Sequence, residues 1–224
     1  MIANASLQAK LEIGLDVMGL KISADKQVKL VAFVMLINKW NKIHNLTAVR
    51  EPMDMVTLHL LDSLSVLPDV QALAPKRLLD VGAGAGLPSI PLAICLPELQ
   101  VVAIDAVQKK ASFMRQAKGE LGLDNFHVEA GRVEALNNTS NNSTPKFDVI
   151  ISRAFSEIGL FIELTKHLLS SDGVWLAMKG TIPHHEFEKS IVKPTEIKPL
   201  NVADLEAERH LVILHPSIDT HVFI

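Results

Sequence analysis

The chain has 224 residues, 48% hydrophobic and 21% charged, with a formal net charge of −3; this supports a buried core, excludes wholesale disorder, and confines any nucleic-acid binding to a local basic patch. Its single cysteine, Cys95, excludes a disulfide framework and a cysteine-rich zinc site. With no secretory pattern over residues 1–4 and no apolar run long enough to cross a bilayer, a reducing, cytoplasmic setting is expected.

Apolar residues at helical spacing predict helices over 6–20, 24–40 and 54–68, the last ending at Pro68. In the second, Leu30, Phe33, Val34 and Ile37 form one stripe, with Ser23 placed to cap it. Trp40, Leu46 and Leu60 fall on such stripes and are assigned to the core. His44 and His59 have no partners at ligand spacing, so neither is read as a metal ligand. Lys39, Lys42 and Arg50 form a modest basic strip, equally compatible with a solvated face and with RNA contact. From Arg77 onward strands alternate with helices. Strands are expected at 77–82, 100–105, 125–130, 146–151 and 173–178, and helices at 88–96, 107–121 and 156–170. A helix at 183–191 and late strands near 195–202 and 209–215 would close the sheet with an antiparallel hairpin. The polar stretch 137–145 is read as a surface loop. This order implies a parallel sheet covered on both faces, in an α/β domain over 76–224 with a helical extension over 1–75 packed on it.

Within that order, residues 78–91 carry the chemistry. Strand residues Leu78-Leu79-Asp80-Val81 lead into Gly82, Gly84 and Gly86 at alternate positions. Glycines let the backbone turn and approach a ligand that a Cβ would push away. The pattern D-x-G-x-G-x-G differs from the dinucleotide fingerprint G-x-G-x-x-G and resembles the first motif of class I methyltransferases, which bind S-adenosylmethionine. Asp105 follows the second strand, 23 residues after Gly82, where an acid can accept hydrogen bonds from ribose hydroxyls; it could also cap the next helix. Ligands bind such sheets at the carboxyl ends of the strands. Three of those ends carry a cation, Arg132, Arg153 and Lys179, and their convergence on one rim would suit a phosphate backbone.

The acceptor is narrowed by what the chain lacks. Methylation at a base carbon needs a cysteine nucleophile, and Cys95 faces the core by pattern. Exocyclic amines commonly require an Asn/Asp-Pro-Pro-aromatic loop, where this chain has Ser152-Arg153-Ala154-Phe155. A ring nitrogen with an in-plane lone pair, such as guanine N7, needs neither device. With aromatic residues at 4% and no tyrosine, an aromatic platform of the RNA-recognition-module type is not expected.

Several segments together resemble one family. They are Asn38-Lys39-Trp40-Asn41-Lys42-Ile43-His44-Asn45-Leu46-Thr47 with Arg50, His59-Leu60-Leu61-Asp62-Ser63, the glycine loop with Leu87-Pro88-Ser89-Ile90-Pro91, Gly131-Arg132-Val133-Glu134, Ile151-Ser152-Arg153-Ala154-Phe155, Lys179-Gly180 and Glu208-Arg209-His210. The family is the bacterial 16S rRNA guanine-N7 methyltransferases, RsmG, also called glucose-inhibited division protein B. The resemblance implies a Rossmann-like class I methyltransferase fold, with S-adenosyl-L-methionine as cofactor. It implies methylation at N7 of one guanine in the decoding-centre loop. Cofactor contacts are expected from Gly82, Leu87, Val133, Glu134 and Arg153, to which the motif adds Gly84 and Asp105. Lys109, Arg132, Lys179 and Arg209 are expected to touch RNA, and Arg153 to serve catalysis. The expected partner is 16S rRNA or the small ribosomal subunit, with no metal and no membrane, the chain acting as a monomer. Two other readings stay open: a methyltransferase of small molecules or proteins, and a non-catalytic ribosome-assembly factor.

Overall fold

The computed structural model describes residues 2–136, 146–153, 155, 157–182 and 193–216. A seven-stranded sheet organises the chain, in the order β3-β2-β1-β4-β5-β7-β6. Its strands are β1 (Arg77–Val81), β2 (Gln100–Asp105), β3 (Phe126–Ala130), β4 (Phe147–Ser152), β5 (Leu169–Lys179), β6 (Glu196–Pro199) and β7 (His210–Leu214). The first five run parallel, whereas β7 pairs antiparallel with β5 and with β6. The chain proceeds outward from β1 to β3, then returns to the other side of β1 for β4. The loops after β1 and β4 therefore part company, and this divergence opens a cleft at the carboxyl ends of the strands.

Alternate strand residues build two cores. Leu78, Val101, Ala103, Val149, Ile151, Leu176 and Ile213 face one side, where α6 (Ser89–Cys95) and α7 (Gln108–Leu121) cover the sheet, α2 (Ala24–His44) packs on those two helices and α1 (Ile2–Val17) packs on α2. Leu79, Val81, Ile104, Ile150, Trp175 and Val212 face the other, packed on α8 (Ile158–Thr165) through Ile158, Phe161 and Ile162. The first cluster runs without interruption from Leu7 to Ile213, so the N-terminal helices share their apolar interior with the sheet.

The expected strands and most helices lie where the pattern put them, with three corrections. The segment 54–68 is not one α-helix. It divides into α3 (Pro52–Met55), a π-helical turn (Val56–Leu61) and α4 (Asp62–Leu64). Pro68 does not end it but sits in the first turn of a new helix, α5 (Leu67–Leu73), where a missing N–H costs nothing. The helix expected over 156–170 stops at Thr165, because Leu169 already pairs with Phe147 at the start of a longer β5. Ser23 occupies the N-cap of α2 without a side-chain cap bond. The helix expected at 183–191 and the loop at 137–145 lie outside the described residues. Among the described residues no helix is long and apolar enough to cross a membrane.

Candidate active site

The glycine loop leaves β1 with Gly82 and Gly84 at φ of 72° and 61°, conformations that L side chains rarely adopt. Space above Gly82 is open for 4 Å around where a Cβ would stand. The Gly84 N–H donates to Asp105 Oδ2 at 2.8 Å, and the Val107 N–H donates to Asp105 Oδ1 at 2.9 Å. Asp105 thus ties the glycine loop to the β2 tip but does not cap α7, whose N-cap is Val107 without a side-chain cap bond; Lys110 stands 3.8 Å from the Asp105 carboxylate. Each carboxylate oxygen keeps a second lone pair. Beneath the loop, Asp80 is fully buried, its Oδ2 accepting the Ser89 N–H at 3.2 Å. Burial pushes its carboxyl up to about 6.

Gly82, Asp105, Gly131, Arg132, Val133, Glu134, Phe155 and Leu160 line a cleft of about 280 Å³ over the β1–β3 tips. Four expected cofactor residues, Gly82, Asp105, Val133 and Glu134, come together there. Gly84 joins them through Asp105. Leu87 is buried behind the loop, and Arg153 lies elsewhere.

Arg153 belongs to a second pocket, of about 440 Å³, lined by Val49, Leu58, His59, Asp62, Arg153, Met178, Lys179, Gly180 and Arg209. Its Nη1 donates to Asp62 Oδ2 at 2.9 Å and to the Leu58 carbonyl at 3.2 Å. Arg209 Nε donates to Asp62 Oδ1 at 2.8 Å. Lys179 Nζ donates to the Phe155 carbonyl at 3.0 Å, which stitches this pocket to the first cleft. His59 is buried beside them, its Nε2 3.0 Å from Thr47 Oγ1. Burial, with the Arg153 guanidinium nearby, pushes its imidazole down to about 4, so it stays neutral.

The rim cations therefore do not all converge. Arg153 and Lys179 share the second pocket with Arg209, Arg132 lines the first cleft, and Lys109 donates to the His44 carbonyl at 2.9 Å at the end of α2. Asp62 was not singled out from the sequence as a site residue. A signal existed: it falls on the stripe Leu58, Leu61, Asp62, Ser65, and an acid on an apolar stripe demands buried partners. Asn41 was likewise unassigned. Its Oδ1 accepts the Thr47 N–H at 3.0 Å and its Nδ2 donates to the Val49 carbonyl at 2.9 Å, fixing the loop that walls the pocket. Cys95 is buried and its thiol is pushed up to about 12 by that burial, which removes it as a nucleophile. Among the described residues, no group of three or more His, Cys, Asp or Glu side chains could hold a metal ion.

Residues 26–212 match the family described as rRNA small subunit methyltransferase G. A ribosomal RNA small subunit methyltransferase G from Methylobacillus flagellatus is 59% identical over 93% of this chain and 98% of that one. Its counterpart from Neisseria meningitidis is 45% identical over 92% and 96%. Among solved structures, an O-methyltransferase from Bacillus cereus superimposes with a TM-score of 0.62 over 94% of this chain and all of its own, at 16% identity. One from Streptomyces achromogenes gives 0.61 over 91% and 96%, also at 16%. At that identity the likeness is one of fold.

Proposed function

The chain belongs to the rRNA small subunit methyltransferase G family, and from that premise we propose that it methylates N7 of one guanine in the decoding-centre loop of 16S rRNA, using S-adenosylmethionine, in the cytoplasm. One observation carries the reading. A glycine-walled cleft with an acceptor-only carboxylate and a cationic pocket meet across the tip of β4, joined by the bond from Lys179 to Phe155.

The first cleft fits the cofactor, because open space lies where a Gly82 Cβ would be and Asp105 retains lone pairs for a ribose diol. Val133 and Glu134 would address the adenine, Gly84 would hold the loop low, and Leu87 would support it from behind. When bound, the cofactor supplies an electrophilic methyl group on a sulfonium centre. The chain's own residues then have no proton to move, since guanine N7 attacks with an in-plane lone pair and the product is cationic. Their task is to bind, orient and exclude water.

Arg153 is assigned to guanine O6 rather than N7, leaving the attacking lone pair free. Lys179 and Arg209 would neutralise the adjacent phosphates, with Lys109 and Arg132 further out along the backbone. The helical extension over 1–75 would serve as the outer wall of the acceptor pocket through Val49, Leu58, His59 and Asp62.

Methyl transfer from tritiated cofactor to small subunits lacking the modification tests this, with digestion to locate the label. Label in N7-methylguanosine is expected. Label in adenine, cytosine carbon, protein or a small molecule overturns it, and cofactor binding without transfer to any RNA points to an assembly factor.

A further inference from the structure

Asp62 is nearly fully buried, yet no residue of its own helix neutralises it. Its two partners arrive from distant parts of the chain: Arg153 follows β4, and Arg209 precedes β7. Each carboxylate oxygen takes one guanidinium, Oδ2 from Arg153 at 2.9 Å and Oδ1 from Arg209 at 2.8 Å. The π-helical turn ends immediately before Asp62, whose N–H is shared between the Thr57 and His59 carbonyls. The Leu58 carbonyl meanwhile turns to Arg153 at 3.2 Å. One acceptor from this turn and one from the residue that follows it thus bind Nη1 of Arg153, leaving its Nε and Nη2 uncommitted among the described residues. Arg209 commits Nε to Asp62 and Nη1 to the Glu208 carbonyl at 2.9 Å, leaving Nη2 uncommitted among the described residues. Both side chains line the acceptor pocket and are about a quarter exposed there.

We infer that Asp62 is a positioning residue for the acceptor: one buried carboxylate that fixes both arginines, so that their remaining donors present a rigid, electron-poor wall to the target guanine and its phosphate. This rests on the reading of the pocket as the guanine site. Without Asp62, two long cationic side chains sharing one pocket repel each other and swing apart. Holding a reacting base within a fraction of an ångström depends on donors that do not move, and a displacement of about 1 Å can cost roughly 100-fold in rate. With Asp62 present, one carboxylate is matched against two guanidiniums, Arg153 and Arg209, and this trio keeps a net positive charge for an anionic ligand.

The test uses the full chain and small ribosomal subunits, with turnover expressed per cofactor-binding site measured by calorimetry. Asp62→Asn should lower kcat by roughly 30-fold or more while cofactor affinity stays within about threefold. In an Arg153→Lys background the same change should cost clearly less than it does alone, because part of what Asp62 does runs through that arginine and only its hold on Arg209 remains to be lost. Asp62→Glu, which keeps the charge but displaces it by one methylene, should recover part of the loss; it carries the test if Asp62→Asn fails to bind cofactor. A purely structural role would reduce the fraction of binding-competent protein and leave kcat per site unchanged, which overturns the inference. So do losses that multiply independently in the double variant. Wild-type protein that methylates no small-subunit RNA sinks the guanine reading itself, a result visible before any variant is made.

Discussion

The two cavities at the sheet's rim are built on opposite plans. The cleft over β1, β2 and β3 uses backbone shape and the carboxylates of Asp105 and Glu134, set on strand tips that follow one another along the chain, with Phe155 and Leu160 closing it from beyond β4. The pocket beside it is made of charge, with Asp62, Arg153, Lys179 and Arg209 drawn from a helix and three separate strand ends. The first plan suits a ligand recognised by close approach. The second suits one recognised by its phosphates and base edge. The contrast assigns different failures to the two sites: damage to the first should cost cofactor binding, and damage to the second should cost RNA engagement and turnover.

The largest effect is expected at the glycine loop. Gly84→Val places a β-branched residue at a φ of 61° and should reduce cofactor binding from about −8 kcal/mol to undetectable by calorimetry. Far-UV circular dichroism and RNA association should stay near wild type. A variant that still binds cofactor would break the comparison at its first arm. Next is Arg153→Lys. An ammonium can satisfy Asp62 or the Leu58 carbonyl but cannot present a planar fork, so turnover should fall roughly 100-fold with cofactor affinity nearly unchanged. Loss of cofactor affinity instead would move Arg153 to the first cleft.

Smaller effects belong to the outer cations. Lys109→Ala, Arg132→Ala, Lys179→Ala and Arg209→Ala should each weaken RNA association and make its salt dependence shallower by about one unit of slope. Cofactor affinity should shift only in Arg132→Ala, through the neighbouring Val133. Wild-type slopes in all four would reduce them to a solvated face.

The smallest effect concerns pH, and its sign differs between the cavities. His59 beside the charged pocket is held down at about 4, so below 6.5 the unfolded chain takes up a proton that the folded chain refuses. It therefore makes stability fall as pH drops from about 6.5 towards 4. Asp80 beneath the glycine loop is raised to about 6 from 3.8, so the folded chain binds the extra proton, and stability falls as pH rises through that window. Urea denaturation across this range should give opposite changes relative to wild type. His59→Gln should tilt the stability profile towards acid pH and Asp80→Asn towards neutral pH, each by at most about 1.4 kcal/mol per pH unit. Parallel changes would show that the two groups do not titrate as described.

How legible each cavity was follows from its construction. The first could be read in part, because alternate glycines and an acid at a fixed interval are local features that mark Gly82 and Asp105, whereas Val133 and Glu134 followed only from the family resemblance and Leu87 and Arg153 lie outside the cleft lining. Arg153 and Lys179 were identifiable as cations at strand ends, whereas Arg209 followed only from the family resemblance; the strand-end reading put Arg132 on the same rim as Arg153 and Lys179, and the structure separates it. The π-helical turn was invisible as well: Met55, Leu58 and Leu61 keep helical spacing whether or not one carbonyl is skipped.

What the sequence determined by itself is whatever repeats or turns locally. Strand and helix alternation from Arg77, the two-faced burial of the sheet and the loop from Asp80 to Gly86 all follow from period and glycine placement. The tertiary structure alone decided which charges meet. Asp62, Arg153 and Arg209 are separated by 91 and 56 residues in sequence, and no local pattern encodes their convergence. Only the reversal of strand order beside β1, together with the antiparallel return of β7 along β5, carries both arginines to the same buried carboxylate.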